Sequence, residues 1–367
     1  MKILPNNLKR QHDLFLEEYN NKAVEVLNSG WYVLGKEVEN FEKEFSNYIG
    51  VKYTVGLASG LDALQLAFRI LDIKKGDEVI VAANAYIACV MGITMNGGTP
   101  IFVEPDEYDN INANKIEEKI TDKTKAILAV HLFGQSCDMT KIMEIAKKYN
   151  LKVVEDCAQA HGTTWNNQTC GSIGDIGCFS FYPTKGLGAF GDAGALTTNS
   201  FEYAEKAKML RNYGSKVHYE FEEVGMNSRL DELQAGLLRV KLAHLNELNE
   251  ERNRIAEKYN KEINNELITP LKTRAGSNNT WHQYVIHVSN DLRDKLIEYL
   301  NSYEIGTIIH YPIPPHLSKA YKDLGYKKGD FPITEKYADE VLSIPMYNGI
   351  TQEEQEFVID KLNSFKG

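Results

Sequence analysis

The sequence predicts an α/β protein: a large domain with a mainly parallel sheet flanked by helices, followed by a smaller C-terminal α+β domain. Three observations carry this. Short β-branched runs alternate with amphipathic helical stretches between about residues 50 and 200. Those runs are mostly apolar, as strands buried on both faces of a mainly parallel sheet are. Beyond Asn227 the pattern gives way to long charged helical segments with only scattered strands.

Taken in order, Tyr53-Thr54-Val55 leads into a helix near residues 61–71, and Glu78-Val79-Ile80-Val81-Ala82 precedes a helix over about 87–95. Ala126-Ile127-Leu128-Ala129-Val130 is followed by a helix near 138–149 and then by Leu151-Lys152-Val153-Val154-Glu155. Cys178-Phe179-Ser180-Phe181 and Gly194-Ala195-Leu196-Thr197-Thr198 are two further strands around a glycine-rich loop. Residues 229–261 read as one long helix with Leu233, Leu237, Val240, Leu245 and Leu248 as its apolar stripe. Then come the strand Tyr284-Val285-Ile286-His287-Val288, a helix near 292–300, a proline-rich loop at 311–315 and a terminal helix from Thr351. The expected division is 1–245 for the large domain and 246–367 for the small one.

The 367 residues, 43% hydrophobic and 25% charged, suit a globular enzyme with more than one core. A formal charge of −10 argues against general affinity for nucleic acid. No apolar stretch is long enough for a membrane span, and the first residues lack the apolar segment of a signal peptide, so a cytoplasmic location is expected. The five cysteines (Cys89, Cys137, Cys157, Cys170, Cys178) are odd in number and contain no Cys-x-x-Cys pair. Reduced thiols are therefore expected, with neither a disulfide framework nor a metal site.

Ligands of doubly wound sheets bind beyond the carboxyl ends of strands. Ser59-Gly60 follows the first strand and opens a helix, which suits either a phosphate on free backbone N–H groups or an ordinary helix cap. Asp156 ends another strand, where it can pair with a protonated ring nitrogen or cap a helix, and Gln159 lies one turn on. Lys185 stands between an aromatic strand and a loop holding Gly186, Gly188, Gly191 and Gly194. Burial there would lower its pKa and free its amine for covalent chemistry. The bland alternative is a flexible glycine loop.

Ser59-Gly60, Tyr86, Asp156 with Gln159, and Ser180 with Lys185 arrive in that order at successive strand ends. Together they resemble the fold-type I pyridoxal-phosphate enzymes. Within these the chain is similar to the DegT/DnrJ/EryC1/StrS sugar aminotransferases, nearly end to end. The sharpest likeness lies in Glu155-Asp156-Cys157-Ala158-Gln159-Ala160-His161-Gly162, Phe181-Tyr182-Pro183-Thr184-Lys185 and Gly225-Met226-Asn227-Ser228-Arg229-Leu230-Asp231-Glu232.

The resemblance implies pyridoxal 5'-phosphate as cofactor and Lys185 as the catalytic lysine that holds it and shuttles a proton. It places Asp156 on the pyridine nitrogen, Gln159 on the phenolic oxygen, Tyr86 on the ring face, and Ser59, Gly60 and Ser180 on the phosphate. Asn227 would reach the neighbouring subunit's cofactor, which implies a homodimer with shared active sites. L-Glutamate would donate the amino group to a nucleotide-linked keto sugar. The segments around Cys157 and His310-Tyr311-Pro312-Ile313-Pro314-Pro315-His316 look closest to members acting on dTDP-3-keto-6-deoxyhexoses, with a 4-keto substrate as the alternative. His161, Tyr182, Arg229, Tyr311 and His316 are the expected sugar-pocket residues, with Arg229 alternatively paired to Asp231 or Glu232. A non-catalytic cofactor-binding regulator is disfavoured by the lack of a spare DNA-binding segment. A lyase or desulfurase is disfavoured by cysteines placed in strands.

Overall fold

The computed structural model describes residues 1–217, 219–289 and 291–367. At its centre lies a seven-stranded sheet: β1 (Tyr53–Leu57), β2 (Glu78–Ala82), β3 (Thr99–Val103), β4 (Thr124–Val130), β5 (Lys152–Asp156), β6 (Ile176–Ser180) and β7 (Gly194–Thr198). Their spatial order is β1-β7-β6-β5-β4-β2-β3. β7 alone runs against the other six. The mainly parallel sheet thus stands as expected. The reversal follows from the connection: no helix carries the chain from β6 across the sheet face, so it returns beside its neighbour.

Val79, Ile80 and Val81 of β2 and Ile127, Leu128 and Ala129 of β4 are all completely buried, because helices cover both faces. The helices Gly60–Ile70, Met139–Tyr149 and Phe201–Leu210 each begin with a side-chain cap, from Ser59, Asp138 and Ser200 respectively. β3 and the helix Phe201–Leu210 add to the elements expected from the sequence. Pro100 weakens the strand signal of β3, and an edge position is where a missing N–H is tolerated.

The long helix expected over 229–261 is two helices, Glu232–Ala243 and Leu245–Glu262, parted at His244 with φ −105° and ψ 3°. The His244 ring stacks on Phe15 at 4.1 Å, so packing with the N-terminal segment accompanies the break. Residues 229–231 are not helical either. Glu232 turns its carboxylate onto the amides of Gly35, Glu37 and Val38, capping the helix Lys36–Ile49.

A second core surrounds the antiparallel strands β8 (Ile268–Pro270), β9 (Tyr284–Val288) and β10 (Val341–Ile344). It includes Tyr259, Tyr284, Leu300, Leu342 and Leu362. The terminal helix is Gln352–Ser364, with a complete capping box between Thr351 and Glu354. Ile3 is buried in this same core and pairs with Ile305, so the start of the chain packs against its end.

The sheet admits no extra atoms where β6 passes β7 and the loop that precedes β6. A Cβ on Gly177 would lie 2.4 Å from Thr197 Oγ1 and 2.6 Å from the Gly171 Cα. Gly177→Ala should therefore cost about 1–3 kcal/mol, read as a lower denaturation midpoint. An unchanged midpoint would contradict this close approach.

Candidate active site

The carboxyl ends of β5 and β6, the turn after β1 and the loop 181–193 enclose a cavity of about 460 Å³. Nine residues expected from sequence line it: Ser59, Gly60, Tyr86, Asp156, Gln159, Ser180, Tyr182, Lys185 and Tyr311. The strand ends deliver Ser59, Asp156 and Ser180 to one edge of the sheet, and Tyr311 comes from the segment after the helix Arg293–Ser302.

Lys185 opens a turn through its own amide, which donates to the Tyr182 carbonyl at 2.8 Å. No hydrogen bond or ion pair of its amine is found among the described residues. Loss of solvent lowers the pKa to about 8, against the opposing pull of the Asp156 charge and the Cys89 thiol. Asp156 is buried and firmly held. Its Oδ1 accepts from the Ala158 amide at 2.9 Å, and its Oδ2 accepts from the Cys89 thiol at 3.0 Å. Burial and the adjacent Asp156 charge push the Cys89 thiol well up, so it remains a donor.

Gln159 is anchored at both ends of its carboxamide. Oε1 accepts from the Phe133 amide at 2.5 Å, and Nε2 donates to the Tyr311 hydroxyl at 3.1 Å. Tyr311 lies 4.8 Å from Tyr86, centroid to centroid, and the Tyr86 ring is 49% exposed. Ser59 does cap its helix, accepting from the Asp62 amide at 3.1 Å, but its hydroxyl proton stays available to an anion. Two glycines press this corner together. A Cβ on Gly60 would fall 2.5 Å from Ser180 Cβ, and one on Gly194 would fall 2.3 Å from the Ser59 carbonyl. The first amides of the helix Gly60–Ile70 lack partners inside it, so backbone donors and two serine hydroxyls converge on one small volume.

Four expected residues lie elsewhere. His161 is 1% exposed, wedged between Phe179 and Phe181, and neither ring nitrogen makes a hydrogen bond, although the Ser180 carbonyl lies close. It packs behind the cavity rather than lining it. His316 is also buried, against Phe331 and Glu335 at 3.2 Å, and touches the cavity nowhere. Neither residue lines this cavity, because aromatic packing turns each ring inward. Asn227 is exposed and Arg229 reaches Asn212 Oδ1 at 3.1 Å over the Tyr213 ring, and neither lines this chain's own cavity. Arg229 forms no ion pair with Asp231 or Glu232 among the described residues.

Sequence reasoning missed Cys89, His282, Gln283 and His310, all of which line the cavity. Cys89 had a signal: it stands one helical turn beyond Tyr86. His310 is fixed through Nδ1 to Ser343 Oγ at 2.8 Å, and burial with the nearby Lys185 charge lowers its pKa to about 4. His282 Nδ1 and Gln283 Oε1 are buried and have no hydrogen-bond partner among the described residues.

One cluster has the composition of a metal site. His131, Glu155 and Cys157 bring their ligand atoms within 4.8 Å of one another. Glu155, however, accepts from the amides of Gly171, Ile173 and Gly174 at 2.7–2.9 Å and from His131 Nε2 at 3.0 Å. His131 Nδ1 accepts from the Cys137 amide at 3.1 Å, which leaves Nε2 as the donor. Four donors occupy the carboxylate's acceptor sites. The cluster pins the end of β5, where Asp156 must point into the cavity.

Residues 15–363 match the profile of the DegT/DnrJ/EryC1/StrS aminotransferase family. Among similar proteins is the dTDP-3-amino-3,6-dideoxy-alpha-D-galactopyranose transaminase of Aneurinibacillus thermoaerophilus, 49% identical over 98% of both chains. The structure of DesV from S. venezuelae superposes with a TM-score of 0.96 at 40% identity, covering 99% of this chain and 98% of that one. NtdA from Bacillus subtilis, solved with bound cofactor PMP, superposes at 0.90 with 33% identity, over 97% and 83% of the respective chains.

The Lys185 geometry makes a prediction about pH. In cofactor-free protein the rate of pyridoxal phosphate capture should rise as Lys185 loses its proton and level off above about 8. Asp156→Asn removes a charge that favours the ammonium, so this midpoint should move lower. A midpoint near the ordinary lysine value of about 10.4 would contradict the enclosure of the amine.

Proposed function

We propose, from the premise that this chain belongs to the DegT/DnrJ/EryC1/StrS aminotransferase family, that it aminates the 3-keto group of a dTDP-linked 6-deoxyhexose, with L-glutamate as donor. The observation that carries this reading is the unpartnered Lys185 amine enclosed with Asp156 at the strand ends. The product would be a dTDP-3-amino-3,6-dideoxyhexose. A 4-keto substrate remains the second reading, on the same residues.

The cavity suits pyridoxal 5'-phosphate on its own features. Ser59, Gly60 and Ser180 form a donor-rich corner for the phosphate, Tyr86 offers a ring face, and Asp156 presents a buried carboxylate. When bound, this cofactor supplies an electron sink for the bonds at the reacting carbon. Asp156 would keep the pyridine nitrogen protonated, its carboxylate aimed by the Cys89 and Ala158 bonds. Gln159, braced by Phe133 and Tyr311, meets the phenolic oxygen. Lys185 would hold the cofactor's aldehyde covalently, and its amine, neutral in part near pH 8, would serve as the base that moves a proton during amino transfer. Tyr182 and Tyr311 line the cavity and would face the sugar. Donor and acceptor use the one site in turn, which gives ping-pong kinetics.

Asn227 completes the reading across a homodimer, with its side chain on the partner's phosphate site. Its exposure outside its own cavity supports this, as does the neighbouring exposed apolar surface of Val217, Phe221 and Val224. The enzyme works in the cytoplasm. No helix among the described residues is long and apolar enough to cross a membrane. The large and small domains divide near His244, where the helices Glu232–Ala243 and Leu245–Glu262 meet.

Initial rates with dTDP-linked 3-keto and 4-keto 6-deoxyhexoses test the choice of carbon. The 3-keto sugar should be turned over with parallel double-reciprocal plots against L-glutamate, and turnover of the 4-keto sugar alone would overturn that choice. Lys185→Ala should lower turnover at least about a thousandfold, a loss within the range of proton transfer alone. Mixed Lys185→Ala and Asn227→Ala subunits should regain part of the activity in hybrid dimers. No recovery would assign Asn227 to its own subunit.

A further inference from the structure

The loop that carries Lys185 has a second face. Tyr182, Thr184, Lys185 and Asp192 line the cavity described above, whereas Pro183, Gly188, Ala189 and Phe190 line another of about 290 Å³. The two cavities share no lining residue. The second is completed by Leu8, Gln11, His12 and Tyr19 of the N-terminal helices and by Lys241, in the last turn of the helix Glu232–Ala243.

Lys241 is the anomaly. It is 6% exposed, yet its amine makes no hydrogen bond, ion pair or ring contact among the described residues. No carboxylate lines the cavity. The neighbouring charge is Arg252, also buried and itself held by Asn348 and the Trp281 and His282 carbonyls, so it adds to the positive potential. A buried ammonium needs an anion or must lose its proton. Burial and the Arg252 charge lower this lysine to about 7, the response of an amine held without a counter-ion.

Apart from Gln11, whose Nε2 donates to Asn6 Oδ1 at 2.7 Å, the remaining walls are apolar and aromatic. The His12 ring stacks on Tyr19 at 5.6 Å, and Phe190 meets Tyr19 edge-on at 4.9 Å. His12 lies 3.5 Å from Asp13, the nearest acid on its own helix. A cation at one end of an aromatic-walled cavity fits an organic carboxylate whose charged end meets the amine and whose apolar body meets the rings.

We propose that this second cavity is a binding site for a small organic carboxylate, with Lys241 as its anchoring cation. The occupant would sit against Pro183, Gly188, Ala189 and Phe190, and so on the reverse of the loop that presents Lys185. The site is separate from the amino-transfer cavity and stands whether or not the substrate assignment does.

Calorimetric titration of the holoenzyme with benzoate, against chloride at equal ionic strength, tests it. The result expected is one saturable event per chain, weakened at least tenfold by Lys241→Met and retained by Lys241→Arg, with the visible absorbance of the bound cofactor unchanged. Equal affinity in Lys241→Met, or no saturable binding in the parent protein, overturns the proposal. Crystals of the parent protein soaked in 4-bromobenzoate give a test that needs no variant. An anomalous bromine peak beside Lys241 supports the site, and a cavity holding solvent alone overturns it.

Discussion

The enclosure of the Lys185 amine opposite the Asp156 carboxylate is the constraint on which the rest of this structure depends. Two effects compete at that amine. Removal from water favours the neutral form, while Asp156 favours the charged one, and removal from water prevails. The outcome is an amine that is neutral in part near physiological pH. A lysine in solvent would be almost entirely protonated and unreactive toward a carbonyl.

Much of the surrounding architecture holds these two groups in place. Glu155, directly before Asp156, spends its whole acceptor capacity on three loop amides and His131. That ties the end of β5 to residues 171–174 and prevents Asp156 from swinging out of the cavity. On the other side, Gly60 and Gly194 allow the β1 turn and β7 to approach within reach of Ser180, closing the donor-rich corner of the cavity. The one antiparallel strand makes this possible, because the return from β6 to β7 leaves the Lys185 loop standing at the strand ends.

Much of this was legible in the sequence, for a physical reason. Strand ends in a parallel sheet converge, so polar residues following apolar runs at Ser59, Asp156 and Ser180 had to meet. What stayed hidden rests on pairings across long stretches of chain. Cys89 supports Asp156 from another strand-helix unit, and His282, Gln283 and His310 arrive from the second core. His161 and His316 stand in the family-like segments, yet packing against Phe179, Phe181 and Phe331 turns them away from the cavity. Tertiary packing decides such orientations, and local sequence does not encode them. The break at His244 is likewise invisible in the apolar stripe, which continues smoothly through Leu245 and Leu248.

Among the described residues two lysines without partners meet at one loop, Lys185 partly exposed on the cavity side and Lys241 buried behind it. The same loss of solvent lowers both, and what separates them is the company each keeps. Lys185 has a carboxylate and a cofactor-sized cavity, and Lys241 has a second cation and aromatic walls. The most direct measurement of the central claim is therefore to locate the covalent attachment. Borohydride reduction of the holoenzyme followed by peptide mass spectrometry should place the phosphopyridoxyl group on Lys185 alone. Attachment at Lys241 or any other lysine, with Lys185 unmodified, would contradict the account.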